Sequence, residues 1–489
     1  MSSVSWWWGV LLVACRTDEA PPPDRDEPRD QTGREPTEPT EPTDDEPTDD
    51  EPHSGLQGPS ADTGDTAGTG GPLAPIWAAQ LGTTGWDFAT AVAVDAADDI
   101  VIVGSTDSAL PGQVSAGSTD GFVQKYAPDG TLQWTRQFGG PSFDGLASVA
   151  VDAADRIVVG GSTYGLSGTP LVGVIDLLVR VYDPNGDEVW TRTLGATGDI
   201  LELSDVAVDA DGSVIVLGNA RRGTLDSGIV GLNEAVVWKI APDGSTTWTR
   251  RVTAPPPLDN FSLLAPGGLA LSSAGELFLT GTVTALPGQA QNAFLTKLDP
   301  DGDEVWSVPF GAPGGPRPNE FLGGASVALD AAGQVIVAGW AWPNVALAGQ
   351  VSSGGTDAFV QAFDAAGRAT WNDQLGSGQY AGAASILPIP GGGYVLAGGV
   401  RGALAGTSYG EVDTYLRTYD GAGTPLVTTQ FGASGACVPC NKTDAAAAAL
   451  LSTGAIVTVG SVLGTFPGEV AVDPTGYDAF VVVFPPGLE

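Results

Sequence analysis

Histidine is almost missing from this chain. The 489 residues hold one, His53, and it falls in a low-complexity stretch. Ser-His-Asp and Cys-His catalysis and any His-ligated metal are therefore excluded from the remaining length. Basic residues are scarce too, 20 Lys and Arg against 58 Asp and Glu, for a formal net charge of -38. Such a surface repels phosphate backbones, so no nucleic-acid partner is expected. Cysteine occurs three times, as Cys15, Cys437 and Cys440. No apolar run approaches the roughly 20 residues that a membrane-spanning helix needs. Glycine (70) and proline (37) are plentiful, which means many turns and favours an all-β chain.

The first residues read MSSVSWWWGVLLVAC. The apolar run Trp6–Ala14 suits the h-region of a signal peptide, and Leu12-Val13-Ala14-Cys15 resembles the bacterial lipobox. The resemblance implies cleavage before Cys15 and acylation of that residue, with several acyl chains giving a stable anchor. A cleaved secretory signal with an incidental cysteine is the alternative. Arg16, rather than Asp, follows the cysteine, which points to the outer membrane or cell surface. Residues 1–14 are thus expected to be a lipoprotein signal peptide. Residues 15–75 are expected to be a lipid-anchored, disordered acidic linker. The stretch from Arg16 to Thr66 holds 17 acidic residues and four arginines. Its REPTEPTEPTDDEPTDDEPH core is too polar to fold, and proline and like charge extend it.

Residues 76–489 repeat about every 57 residues, a period typical of propellers and arrays. A tryptophan marks six copies (Trp77, Trp134, Trp190, Trp248, Trp306 and Trp371), and Val427 stands at its place in the seventh. The tryptophan segment, LQWTRQFG in one copy, is taken as strand D. TAVAVD, IVIVG and DGFVQKYA represent strands A, B and C. Short turns such as DAADD join A to B, and APDG or DPNG turns join C to D. A D strand comes first and a C strand comes last. The expected fold is therefore an all-β, seven-bladed propeller of four-stranded antiparallel blades, its ring closed by the N-terminal strand.

The pattern D-A-F-V…D-P-D-G…W…L-G…A-V-D…V-G resembles the SBBP family of bacterial β-propeller repeats over residues 76–484. That resemblance implies an exported structural scaffold and brings no catalytic residues. The tryptophan strand after a D-G turn is also similar to quinoprotein and outer-membrane-assembly propellers.

Most recurrent residues have a structural explanation. The tryptophans are expected to fill the wedges between blades. The glycines ending strand B, such as Gly104 and Gly339, are expected at close backbone approaches. Asp120, Asp176, Glu234, Asn292, Asp357, Asp413 and Asp478 open strand C, as loop caps or, alternatively, as a cation- or partner-facing ring. Asp299-Pro-Asp301-Gly-Asp303-Glu304 has the start of a calcium loop but lacks its spacing, so a plain turn is expected. No cofactor is expected, with calcium the one candidate. Cys437 and Cys440 suit a disulfide closing a small loop outside the cytoplasm.

The long, varied D–A and B–C loops share one face of a propeller. Trp86, Phe88, Phe143, Phe261, Phe321, Trp340, Trp342 and Tyr380 lie there as candidate ligand-binding residues. The expected function is a surface-tethered binding or adhesion scaffold, monomeric, that recognises a protein or glycan ligand and is not an enzyme. The alternatives are a structural subunit of a cell-envelope assembly or a carboxylate-based carbohydrate-active enzyme, for which Asp87, Asp144, Asp199 and Asp259 would be drafted.

Overall fold

The computed structural model describes residues 74–488 apart from 222–232, 256–262, 286–289, 312–320, 405, 434–440, 467–468 and 470–475. By contacts the chain divides into Met1–Asp65 and Thr66–Glu489. The first unit lies wholly outside the described residues, as do Cys15, Phe261, Cys437 and Cys440. Among the described residues, no helix is long and apolar enough to cross a membrane.

Seven separate four-stranded antiparallel sheets make up the second unit. Blade 1 runs Asp87–Val94 (A), Ile100–Thr106 (B), Asp120–Tyr126 (C) and Leu132–Phe138 (D). Blades 2 to 6 repeat that order, with A strands starting at Asp144, Ile200, Leu263, Leu322 and Tyr380. Blade 7 takes Lys442–Leu450, Ile456–Leu463 and Asp478–Phe484 from the end of the chain and Trp77–Leu81 from its beginning. Trp77 pairs with Val483 and Leu81 with Ala479, so the expected seven-bladed ring with N-terminal closure is what forms. Closure pairs the strand edge that Asp478–Phe484 would otherwise expose.

Each A strand packs against the A strands of both neighbouring blades, so the seven form the inner ring. Strands B and C are buried on both faces, as in Ile100–Thr106 and Asp120–Tyr126, whereas strand D is half-exposed on the outside. The A strands all carry a bulge opposite the glycine that ends strand B, for example between Ala89 and Ala91 opposite Gly104. The glycine is required because a Cβ on Gly104 would collide with the carbonyl of Phe88. The bulge also turns side chains toward neighbouring blades. Ser148 Oγ accepts from Val206 N at 3.2 Å and donates to Asp205 Oδ1 at 2.7 Å, and Asp205 Oδ2 accepts from Leu269 N at 2.9 Å. Asp205 thereby ties blades 2, 3 and 4 together.

The tryptophans are structural, and their packing explains the missing one. Trp77 lies over Gly130 of the C–D turn in the next blade and donates Nε1 to Pro128 O at 2.9 Å. Trp134 and Trp190 treat the turns at Gly186 and Gly244 the same way. Gly130 has φ +88°, which a side chain would oppose, and the indole covers the bare backbone. Val427 faces blade 7, whose C strand has no C–D turn after it. Its D strand, Pro425–Phe431, meets the short 3-10 turn Pro486–Leu488 instead. The valine marks the seam where the chain closes the ring.

Candidate functional site

Asp120, Asp176, Asp357 and Asp413, which open strand C in their blades, cap the loop before it. Asp120 Oδ2 accepts from Ala116 N and Gln137 Nε2, both at 2.8 Å, and Asp357 and Asp413 are held in the same way. The glycine after strand D leaves them room, since a Cβ on Gly139 would strike Asp120 Oδ1. Asp120, Asp357, Asp413 and Asp478 are fully buried, so they present no ring to solvent. Asp87 and Asp144, drafted from sequence for glycosidic chemistry, are fully buried as well. Each caps its D–A loop, accepting at 2.6 Å from Thr83 N and Gly140 N. They cannot reach a substrate. Asp259 lies outside the described residues. Asp299 Oδ1 accepts from Asp301 N and Asp303 N within its own turn, so this segment is the plain turn expected.

The D–A and B–C loops do share one face. The residue before strand C bridges in parallel to the start of the next A strand, as Thr119 does to Phe143 and Thr356 to Tyr380. On that face the first residues of the A strands rim the mouth of the inner ring. Trp86, Phe143, Phe321, Tyr380 and Lys442 occupy equivalent places, each opposite a residue at the end of strand B. Most of the expected aromatics are therefore at the mouth, but in separate groups. Trp86 and Phe88 meet Tyr477 at ring-centroid distances of 5.9 and 5.5 Å. Phe143 meets Tyr164 at 6.1 Å and Phe321 meets Trp342 at 4.5 Å. Trp342, Tyr380 and Tyr164 are 40–45% exposed, which suits stacking against a ligand. Trp340 is less available, because its ring fills the space left by Gly323.

The polar residues of the mouth were not anticipated. Arg401, paired across the sheet with Tyr380, binds Glu411 Oε1 at 2.6 Å, and Lys442 of the next blade lies 3.5 Å from Glu411 Oε2. Gly382 and Gly399 are cross-strand partners below Tyr380 and Arg401. The Tyr380 hydroxyl reaches within 2.6 Å of the place a Cβ on Gly382 would take, and the Asp444 carboxylate fills the place of a Cβ on Gly399. Two side chains from adjacent blades thus rest on one bare patch of sheet. Burial pushes the Asp444 carboxyl up to about 6, with Lys442 pulling the other way. Burial, then the Asp444 charge, holds the Tyr380 hydroxyl well above its usual value. Burial opposes the charge of Lys442, yet Tyr477 and Glu411 leave its ammonium above the ordinary lysine value. A smaller group sits at blades 2 and 3, where Arg221 binds Glu202 at 2.7 Å and burial raises Glu202. The signal for these residues was a departure from the repeat: Asp444 and Glu202 stand where Gly145, Gly323 and Gly382 stand in sister blades.

No protein-family model matches the chain. A curated relative, an uncharacterized WD repeat-containing protein of Acanthamoeba polyphaga mimivirus, is 26% identical over 209 residues, or 35% of this chain. The match spans 14% of that relative's length. Among solved structures, an ulvan lyase, a polysaccharide lyase, superposes with a TM-score of 0.51 at 9% identity, over 84% of this chain and 97% of its own. The polysaccharide lyase Uly1 superposes with a TM-score of 0.48 at 10% identity, over 85% and 99%. The first likeness establishes the propeller fold. It also corrects one expectation: the chain was read from sequence as not an enzyme, whereas the ulvan lyase is an enzyme on this fold. The shortage of histidine excludes only histidine-dependent chemistry, and the mouth brings acids, tyrosines and cations together.

Proposed function

We propose that the propeller binds a saccharide at the mouth on its D–A/B–C face, as an exported protein anchored in the cell envelope. The observation that carries this is the pairing of exposed rings with a polar cluster. Trp342, Tyr380 and Tyr164 offer stacking surfaces, and Arg401, Glu411, Lys442 and Asp444 offer charged hydrogen-bonding groups between blades 6 and 7. Pyranose rings present an apolar face and a hydroxylated edge, which this mixture matches. Affinity electrophoresis of the full chain through gels of neutral and acidic polysaccharides tests it. Retardation by at least one polysaccharide, weakened about tenfold in Trp342→Ala, a loss of about 1.4 kcal/mol, is expected. Unchanged mobility in every gel would defeat the proposal. The anchor rests on Cys15, and lipid labelling that persists in Cys15→Ser would remove it.

The same cluster also favours turnover of that saccharide. Asp444, raised to about 6, is suited to move a proton near neutral pH, and the neighbouring Tyr380 hydroxyl, held protonated, can donate a hydrogen bond to the reacting saccharide. Tyr380→Phe keeps the ring and removes the hydroxyl. If the cluster is catalytic, that variant retains gel retardation and loses depolymerisation of the retarding polysaccharide.

A further inference from the structure

We infer that the seam between blades 1 and 2 holds a separate binding site for a small hydroxylated carboxylate, such as a sugar acid. A cavity of about 410 Å³ opens there, lined by Phe138 of blade 1 and by Ser167, Thr169, Arg180, Glu188 and Thr191 of blade 2. That volume lies within the range of small-ligand pockets.

Arg180 is the centre of the site. Its side chain is 14% exposed, and its guanidinium carbon lies 3.8 Å from the centroid of the Phe138 ring. Nε donates to Thr191 Oγ1 at 2.7 Å, and Glu188 Oε2 lies 3.5 Å away. These contacts fix the plane of the guanidinium, and a fixed plane lets it hold a carboxylate by two parallel hydrogen bonds.

The ring provides its own control. Arg417 occupies the place of Arg180 in blade 6, and there the facing blade supplies an acid. Asp373, on strand D of blade 5, lies 3.5 Å from Arg417 Nε and accepts from the Tyr419 hydroxyl at 2.9 Å. At the place of Asp373, blade 1 has Arg136, which turns away to donate to Gly186 O and Asn185 O. Blade 1 therefore gives Arg180 an aromatic ring and no carboxylate, and the acid beside Arg180 is the half-exposed Glu188 of its own blade, 3.5 Å from Nε. A ligand carboxylate would meet the guanidinium from the cavity, on the side lined by Phe138, Ser167 and Thr169. Ligand hydroxyls would meet Ser167, Thr169 and the half-exposed Glu188. The strongly acidic chain repels polyanions, which favours a small monoacid over a charged polymer.

The test is isothermal titration of the full chain with glucuronate, with glucose as the neutral control. Saturable heat from glucuronate and none from glucose is expected. Arg180→Gln is expected to weaken binding at least tenfold. Arg136→Asp, which supplies the facing carboxylate from within, is expected to weaken it similarly while leaving Arg180 in place. The site does not exist if glucuronate gives no saturable heat, if glucose binds equally, or if glucuronate binds both variants like the parent. This site does not depend on the mouth, which is read by polysaccharide retardation, so either proposal can fail without the other.

Discussion

Arg251 donates to the Glu234 carboxylate at 2.8 Å, at the place where Gln137 of blade 1 donates to Asp120. Gln80, Gln374 and Gln430 do the same for Asp478, Asp357 and Asp413. One blade has thus exchanged a buried amide–carboxylate contact for a more exposed ion pair at the same point between strands C and D.

The two versions differ in environment, so their removal should differ in cost. Gln137 also donates to Ser108 O and accepts from Leu110 N, and Asp120 is fully buried. Gln137→Ala is expected to destabilise by about 1–3 kcal/mol, because buried groups lose partners. The Arg251 side chain is 48% exposed, and Arg251→Ala should cost about 0–1 kcal/mol. Equilibrium urea unfolding of both variants decides, and equal losses would contradict this account.

The indole–turn contact predicts an asymmetry around the ring. Trp134→Val should lower stability by roughly 2–3 kcal/mol, through lost contacts with the turn at Gly186. Val427→Trp should bring no gain, since blade 7 has no C–D turn for an indole to cover. Thermal unfolding compares the two, and a higher midpoint in Val427→Trp would show that a partner exists there.

Asp205 makes stability depend on pH. Burial raises its carboxyl to about 6 despite hydrogen bonds from Ser148, Leu269 N and Val206 N. The unfolded chain has the ordinary carboxylate value near 4, so between about pH 4 and 6 the native state binds more protons than the unfolded one. The contribution of Asp205 is therefore largest below the unfolded value and falls as pH rises through the folded value, levelling off above it. Asp205→Asn should flatten this part of the pH–stability curve. An unchanged slope between pH 4 and 6 would assign the effect to other acids.

Gly399 leaves space for the Asp444 carboxylate. Gly399→Ala should push that carboxylate off the patch it shares with Tyr380, at about 1–2 kcal/mol of stability. Retardation by the bound polysaccharide should fall about tenfold, or about 1.4 kcal/mol. Full retardation in this variant would separate Asp444 from ligand recognition.

The blades were legible because each is a local object. Strands A to D follow one another, short turns join them, and their alternation sets which face is buried. Ring closure was legible from the order of strands at the two ends. The glycines ending strand B could be expected at close approaches, although the bulge opposite them could not. Trp86, Phe143, Phe321 and Tyr380 of the loop-face aromatics lie at the mouth, but their grouping was hidden. Tyr477 meets Trp86 only because the first and last blades are neighbours.

By itself, the sequence determined the repeat, the number of blades and the strand that shuts the ring, since these depend on hydrophobic alternation and turn residues within about 57 residues. The tertiary structure alone decided which side chains face each other across a seam. Lys442 reaches Glu411, Asp444 reaches the patch under Tyr380, and Arg180 finds a ring where Arg417 finds an acid. Those neighbours belong to different blades. Their contact depends on the angle between blades in the closed ring and on where each bulge turns a side chain, and neither follows from the pattern within one repeat.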